Sequence, residues 1–315
     1  MEDKILGIHH VTAIAGKAQR NYDFYTRVMG QRLVKKTVNF DDPKTYHFYY
    51  GDERGTPGTI LTFFPWEDIM SGRRGTHMAT EVGYSIPEGS IDFWVNRLEA
   101  AHLLYNKPSQ QFGELYIPFY DPDGMKVELT VPAQADERVP WTGGEIGGEH
   151  AIRGLHHVTL TVEDVQPTAD VLVSLLGYEL KLHHANRYRF FNPVDVHNGY
   201  IDVVEAKGEA RGHVAGGSIH HVAFRVADGA TQLRFRERAE QMGLHVTEQL
   251  DRQYFRSVYF REPGGVLFEL ATDEPGFAVD EPMAELGTHL MLPPQYATQR
   301  AEIEGHLSPI QQTVK

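Results

Sequence analysis

A fourfold internal repeat constrains this chain more than any other feature of its sequence. Three segments open with a His-His pair and a fourth keeps the pattern without it: residues 8–14 (IHHVTAI), 155–161 (LHHVTLT), 219–225 (IHHVAFR) and 79–85 (ATEVGYS). A Pro/Gly turn leading into an alternating strand that carries a glutamate recurs at residues 120–129 (YDPDGMKVEL) and 261–270 (REPGGVLFEL). Such self-similarity is typical of an architecture built by duplication of one small unit.

Each repeat predicts the same order of elements. The strand that starts at the His-His pair is followed by an amphipathic run that stops at a glycine, which predicts helices at residues 18–29, 165–176 and 231–242. Alternating apolar runs come next and predict strands, for example at residues 45–50 and 59–64. The repeated unit is therefore a βαβββ module, present about four times.

Composition shifts along the chain predict its division. We expect the first two modules at residues 1–132, a Gly-rich charged linker at 133–153, the second two modules at 154–276 and a C-terminal tail at 277–315. The metal site is expected where the second pair of modules meets the first strand. A short helix is predicted within the tail at residues 299–307.

Composition excludes several classes of function. With 43 acidic and 30 basic residues the formal charge is −13, and no Lys/Arg run is present, so nucleic acid is not an expected partner. The chain has no cysteine, which removes disulfides, iron–sulfur clusters and thiolate metal sites. No apolar stretch approaches the roughly 20 residues of a membrane span, and the short acidic start does not read as a signal peptide. We expect a soluble cytoplasmic protein in which only His, Asp and Glu can hold a metal.

The repeated histidines and glutamates predict a metal site. Because side chains alternate along a strand, only one residue of each His-His pair can face a shared cavity. Two histidines and one carboxylate form the ligand set that suits Fe(II) and leaves coordination positions open, although zinc accepts the same donors. The residues leave two ligand sets open, His221 and Glu269 with either His10 or His157, depending on which module pairs with the fourth.

The other half of the duplication is expected to lack a metal site. There Glu128 would stand beside the unused histidine, but Thr80 and Glu81 occupy the place of a second His-His pair. Six further histidines follow no repeat and are predicted to be structural or at the surface: His47, His77, His102, His183, His184 and His197.

These modules resemble the vicinal oxygen chelate superfamily, whose members pair modules into open barrels around a metal. Segments 6–12 (LGIHHVT), 33–43 (LVKKTVNFDDP), 46–47 (YH) and 57–65 (PGTILTFFP) are similar to the hydroquinone-type ring-cleaving dioxygenases. The resemblance covers essentially the whole chain and is most specific in the first 65 residues. It implies an α+β fold in which four repeated βαβββ modules form two open mixed-sheet barrels.

The resemblance also implies which residues form the site. The family's metal ligands fall on His10, His221 and Glu269, which favours pairing of the first module with the fourth. Positions that surround the ligands in the family are matched by a further group: His9, Thr12, His220, Arg252 and Tyr259. His9 or His220 would accept a hydroxyl proton, while Arg252 and Tyr259 would orient a second hydroxyl or stabilise negative charge on the substrate.

The implied activity is Fe(II)-dependent opening of a substituted hydroquinone ring with O2, with Mn(II) as an alternative metal. The expected partners are a small aromatic diol and O2, without nucleic acid or membrane, and a homo-oligomer is allowed. Three rival functions stay open. A catechol-type extradiol dioxygenase would use His157, His221 and Glu269, a glyoxalase-like isomerase would need a second carboxylate such as Glu128 on the metal, and a binding protein would use the fold without metal.

Overall fold

The computed structural model describes residues 3–195 and 199–312. His197 lies outside these ranges.

The four modules follow one another along the chain. The first contains β1 (Ile5–Ala15), α1 (Ala18–Asp23), β2 (Arg32–Val38), β3 (Tyr46–Gly51) and β4 (Ile60–Pro65). The second contains β5 (Met78–Ser85), α2 (Ile91–Ala100), β6 (Ser109–Gln111), β7 (Glu114–Tyr120) and β8 (Lys126–Val131).

The second half repeats this order. The third module contains β9 (Gly154–Val162), α3 (Val165–Ser174), β10 (Glu179–His184), β11 (Arg187–Phe191) and β12 (Tyr200–Glu205). The fourth contains β13 (Ser218–Val226), α4 (Gly229–Gln241), β14 (Leu250–Asp251), β15 (Arg256–Arg261) and β16 (Leu267–Thr272). Short 3-10 turns and α5 (Arg300–His306) form the tail.

Local sequence explains where the helices begin and end. The side chains of Asp164 and Asp228 cap α3 and α4 by accepting hydrogen bonds from backbone amides of the first turn. Gly177 and Gly243 follow these helices with positive φ, the conformation that ends a helix at lowest cost for glycine. The first predicted helix differs, because α1 continues as a π-helical turn, Phe24–Val28, up to Gly30. Within the described ranges, no helix combines the length and apolar character needed to cross a bilayer.

Among the described residues, strands β1–β16 form two eight-stranded mixed sheets that pair the modules in a nested way. The first sheet has the order β14-β15-β16-β13-β1-β4-β3-β2 and joins the first module to the fourth. The second has the order β10-β11-β12-β9-β5-β8-β7-β6 and joins the second module to the third. At the centre of each, two module-opening strands pair antiparallel, β1 with β13 and β5 with β9. The predicted α+β fold of four βαβββ modules in two open sheets is confirmed, while the boundaries 1–132, 133–153, 154–276 and 277–315 stay a prediction.

The central strands are buried on both faces, so the histidines they carry lie inside the protein. Along β1 every residue except Leu6 is buried, and β13 is nearly as enclosed. Polar groups in such an interior need partners, because an unpaired buried polar group costs free energy. The contacts of these histidines therefore define the candidate site.

Polar contacts fasten both the linker and the C-terminal tail to the modules. Arg138 of the linker donates hydrogen bonds to the carbonyl oxygens of Gly58 and Leu155 at 2.9 and 2.8 Å. The ammonium of Lys35 in β2 is fully buried and lies 2.6 Å from Asp280 Oδ1 and 2.5 Å from Glu281 Oε2 of the tail. The tail is therefore packed into the first sheet rather than lying loosely on it.

Candidate metal centre

Three side chains from adjacent strands of the first sheet converge on one point. His10 lies on β1, His221 on β13 and Glu269 on β16, which are neighbours in the sheet. His221 Nε2 lies 2.9 Å from Glu269 Oε2 and 3.4 Å from His10 Nε2, and His10 Nε2 lies 3.3 Å from the same carboxylate oxygen. Among the described residues this is the one set of three His, Cys, Asp or Glu side chains close enough to share a metal.

The donor atoms fit a divalent metal. Glu269 Oε2 is buried and makes no hydrogen bond of good angle within the described part of the chain, although two imidazole nitrogens face it. Its other oxygen, Oε1, accepts a 2.5 Å hydrogen bond from Ser257 Oγ, which holds the carboxylate in place. An orphaned carboxylate oxygen between two imidazoles is the arrangement that a bound cation completes. Sequence reasoning missed Ser257, since a serine in a strand carries no distinctive pattern.

The His-His pairs have a physical explanation in the contacts of their rings. The Nδ1 atoms of His9 and His10 lie 2.9 Å apart, and those of His220 and His221 lie 2.8 Å apart. A hydrogen bond at Nδ1 sets the tautomer of a ligand histidine and leaves its Nε2 free to bind metal. The first histidine of each pair thus orients the second.

Protonation states also suit ligation. Burial lowers the pKa of His221, against the opposing effect of Glu269. Burial alone would raise the pKa of Glu269, but His10 and His221 outweigh it and hold that pKa well below its usual range. Neutral imidazoles and an ionised carboxylate are the forms that bind metal.

A cavity of about 40 Å³ opens beside the two histidines of this set, His10 and His221. Its wall is formed by the two histidine ligands and by residues from β3, β4, β15 and two loops: Asn39, Phe40, Asp41, His47, Tyr49, Phe64, Arg252, Phe255 and Tyr259. Phe255 packs against the ring of His10 with 5.1 Å between ring centres.

Arg252 and Tyr259 both reach this cavity. The guanidinium of Arg252 pairs with Asp41 at 3.1 Å and lies 5.6 Å above the ring centre of Tyr259. Tyr259 stands opposite Glu269 in the sheet register, and its ring centre lies 5.6 Å from that of His221. Burial and the nearby Glu269 raise the pKa of Tyr259, so its hydroxyl stays protonated at neutral pH.

Three other predicted site residues are not among those that line the cavity. His9 contacts the carbonyl oxygen of Thr272 at 3.2 Å as well as His10, and His220 contacts His221. The hydroxyl of Thr12 lies 2.8 Å from that of Thr62. The structure brings all three next to the ligands, and a direct acid–base role for His9 or His220 stays a prediction.

The place in the second sheet that corresponds to the candidate metal centre holds different side chains. His157 Nε2 lies 3.2 Å from Glu128 Oε2, which repeats the pairing of His10 with Glu269. Glu81, which replaces the second histidine, lies 2.6 Å from the ammonium of Lys126, and that ammonium lies 3.1 Å from Glu128. The carboxylates here are balanced by a lysine side chain. Gly83 makes room for the imidazole, because a Cβ there would lie 2.2 Å from the ring of His157.

The buried His156 of the second sheet is expected to make the free energy of unfolding depend on pH. Burial lowers the pKa of His156 to about 4, against the opposing effect of Glu114, whereas an unfolded histidine titrates near 6.5. Between pH 4 and pH 6.5 the unfolded chain therefore binds more protons than the folded chain. The contribution of neutral His156 to the free energy of unfolding is present above pH 6.5 and is lost as pH falls toward 4.

Urea unfolding at pH 7 and pH 5 tests this contribution. We expect His156→Gln to lower the pH sensitivity of the free energy of unfolding by up to about 1.4 kcal/mol per pH unit. The same exchange at the exposed His184 should leave the sensitivity unchanged. Equal pH profiles for wild type and His156→Gln would contradict the expectation.

Comparison with known proteins supports the fold and identifies the family. The model of the Glyoxalase/Bleomycin resistance protein/Dioxygenase superfamily matches residues 7–129 and 154–270. The chain is 43% identical to MhqO of Bacillus subtilis (strain 168), a candidate ring-cleaving dioxygenase, over 99% of this chain and 98% of that protein. It is 33% identical to the chlorohydroquinone/hydroquinone 1,2-dioxygenase of Sphingobium indicum, over 94% of each chain.

Solved structures agree. The crystal structure of a candidate dioxygenase from Bacillus subtilis superposes with a TM-score of 0.94 at 42% identity, covering 98% of this chain and 99% of that one. Glyoxalase I from Zea mays shares the fold, with a TM-score of 0.63 at 15% identity over 86% of this chain and 93% of the other. On its sequence match over both halves and its full-length relatives, this chain belongs to the Glyoxalase/Bleomycin resistance protein/Dioxygenase superfamily.

Proposed function

We propose that the chain is an Fe(II)-dependent dioxygenase that opens the ring of a para-hydroquinone with O2. The observation that carries this proposal is the convergence of His10, His221 and Glu269 beside a cavity with aromatic walls. The names of full-length relatives, which include a hydroquinone dioxygenase and candidate ring-cleaving dioxygenases, support the reaction class. A cytoplasmic location and a small aromatic diol as partner are part of the same proposal.

His10, His221 and Glu269 would hold the iron on one face. Bound Fe(II), with Mn(II) as the alternative, would supply Lewis acidity and the capacity to react with dioxygen. The protein's own contribution is a buried setting with a fixed geometry, since Ser257, His9 and His220 hold the orientation of the three ligands.

The cavity wall would bind and orient the substrate. Phe64 and Phe255 offer apolar surface for an aromatic ring. The guanidinium of Arg252, beside the neutral hydroxyl of Tyr259, would stabilise negative charge that develops on the bound diol. Proton acceptance from the hydroxyl by His9 or His220 is a further part of the proposal. Burial lowers the pKa of His220 to about 3, so this imidazole is neutral at pH 7.

The geometry supports this ligand set over its rivals. His157 lies in the second sheet against Glu128, so it does not join His221 and Glu269 as a catechol-type set would require. Glu128 is equally unable to add a second carboxylate beside Glu269, which a glyoxalase-like isomerase would need. A binding protein without metal would have no use for the orphaned carboxylate oxygen of Glu269.

Oxygen uptake by protein loaded anaerobically with Fe(II) tests the proposed reaction. We expect consumption of about one O2 per methylhydroquinone, and a kcat/KM for catechol that is lower by at least tenfold, since a site built for one hydroxyl geometry rejects another. Metal-free protein is the control and should consume none. Equal turnover of catechol would shift the substrate class, and no uptake with either ring despite bound iron would overturn the dioxygenase proposal.

A further inference from the structure

Two polar side chains on β3 line the cavity without any role in the site so far described. His47 and Tyr49 are two residues apart, so they project from the same face of the strand, and both are buried. Sequence reasoning placed His47 among the structural or surface histidines. The structure instead sets it in the wall of the candidate active site.

These side chains end a row of hydrogen bonds that crosses three strands. Tyr49 Oη lies 2.8 Å from His47 Nδ1, and His47 Nε2 lies 2.9 Å from Thr62 Oγ1 on β4. Thr62 continues to Thr12 on β1, with 2.8 Å between the hydroxyl oxygens. Both ring nitrogens of His47 are thus engaged, so its imidazole is held in one orientation and, in turn, holds the hydroxyl of Tyr49.

The Tyr49 hydroxyl keeps hydrogen-bonding capacity toward the cavity. A phenol hydroxyl offers one donor and two acceptor positions, and among the described residues His47 is the hydrogen-bond partner that the structure gives it. Burial and the neighbouring Tyr259 raise the pKa of Tyr49 well above 10, so the group stays a neutral hydroxyl. A buried hydroxyl with an unused position, in a wall that also carries the rings of Phe40, Phe64 and Phe255, is suited to recognise one polar group of a ligand.

The position of Tyr49 relative to the metal ligands indicates which polar group of the substrate its hydroxyl would bind. The ligands come from β1, β13 and β16, and Tyr259 stands next to them on β15, whereas β3 lies two strands from β1 on the opposite side. The ring of Phe255 contacts the rings of both His10 and Tyr49, with 5.1 and 6.3 Å between ring centres. Tyr49 therefore shares one aromatic wall with the ligands but comes from a strand on the other side of β1 from the strands that carry His221 and Glu269.

We propose that Tyr49, positioned by His47, forms a hydrogen bond with the substrate hydroxyl that points away from the metal. This inference rests on the proposed function and specifies the substrate further, because a para-diol carries its two hydroxyls at opposite ends of the ring. It makes Tyr49 a specificity-determining residue for rings with a second hydroxyl, and it leaves Arg252 and Tyr259 to act at the metal end.

Equilibrium binding under anaerobic conditions tests the inference without turnover. Hydroquinone and phenol are titrated into the Fe(II)-loaded protein. The ratio of their affinities reports how much the second hydroxyl contributes to binding. We expect Tyr49→Phe, which removes one oxygen atom and keeps the ring, to lower the preference for hydroquinone about fivefold, the value of one neutral hydrogen bond. The affinity for phenol should stay within twofold.

Tyr50→Phe is the matched control. Tyr50 is the next residue on β3, points to the other face and donates its hydrogen bond to Asn21 at 3.0 Å. Its loss should leave the affinity ratio unchanged. His47→Leu tests the positioning role: it should reduce the same ratio, and combining it with Tyr49→Phe should cause little further loss, since both act through one hydrogen bond.

The outcomes separate the two proposals. If wild type turns over hydroquinone but Tyr49→Phe keeps the full preference, the inference on Tyr49 is wrong and the proposed function stands. The inference is equally wrong if Tyr49→Phe lowers the affinities for hydroquinone and for phenol by the same factor. If the iron-loaded wild type binds neither ring, both proposals are overturned.

Discussion

Replacing His10 with alanine is expected to lower kcat/KM for ring cleavage about a thousandfold, the equivalent of roughly 4 kcal/mol of lost transition-state stabilisation. His10 Nε2 is one of three donor atoms that face each other at 2.9–3.4 Å, and two remaining donors hold a divalent metal poorly. Iron that stays bound after gel filtration, measured together with O2 uptake, should fall from about one per chain to near zero.

The duplication supplies the matched control for this experiment. His157 occupies the equivalent position of the second sheet and contacts Glu128 as His10 contacts Glu269. His157→Ala removes the same side chain from an equally buried place, so it should keep iron and activity near wild type wherever the variant is folded. Activity that survives His10→Ala but is lost with His157→Ala would move the metal centre to the second sheet.

Replacing Lys126 with methionine is expected to destabilise the folded protein by about 3–5 kcal/mol, the cost of leaving a buried charge without its partner. The ammonium lies between two carboxylates, 2.6 Å from Glu81 and 3.1 Å from Glu128, and Glu128 is almost fully buried. Arg187, at 2.9 Å from Glu81, compensates for only part of the loss. Urea unfolding at pH 7 measures the change.

Lys207→Met serves as the surface control. Lys207 pairs with Glu205 at 3.3 Å, but its side chain is 71% exposed, and exposed pairs contribute on the order of 0–1 kcal/mol. A Lys126→Met variant as stable as Lys207→Met would show that the second sheet does not need an internal cation. The destabilisation should also shrink as pH falls, because protonation of Glu81, whose pKa is held at about 2 by Arg187 and Lys126 against the effect of burial, becomes easier without Lys126.

Much of the fold follows from local patterns. Alternation predicted strands at residues 45–50 and 59–64, where β3 and β4 lie, and glycines after amphipathic runs predicted three helices close to their observed ends. These signals depend on near neighbours along the chain, which is why they are legible without the structure. The π-helical turn at Phe24–Val28 was not predicted, since its extra residue per turn leaves no clear trace in the pattern.

The site was predictable only in part, because its members come from distant segments. The repeated His-His pairs and glutamates singled out His10, His157, His221, Glu128 and Glu269 as metal-ligand candidates. Nothing in their local sequence separates His10 from His157, since both stand at the same place in nearly identical strands. His47 and Tyr49 were missed because alternation in a strand with two buried faces does not tell which face lines a cavity.

By itself the sequence determined the repeated βαβββ unit, the absence of thiolate chemistry and the set of residues from which a metal site had to be built. Only the tertiary structure decided that the first module pairs with the fourth, that Lys126 takes its place between the carboxylates of the second sheet, and that Tyr49 faces the cavity. The reason is physical. Local propensity shapes each module, but like modules can bury similar apolar edges in more than one pairing, and the choice depends on contacts between strands about two hundred residues apart.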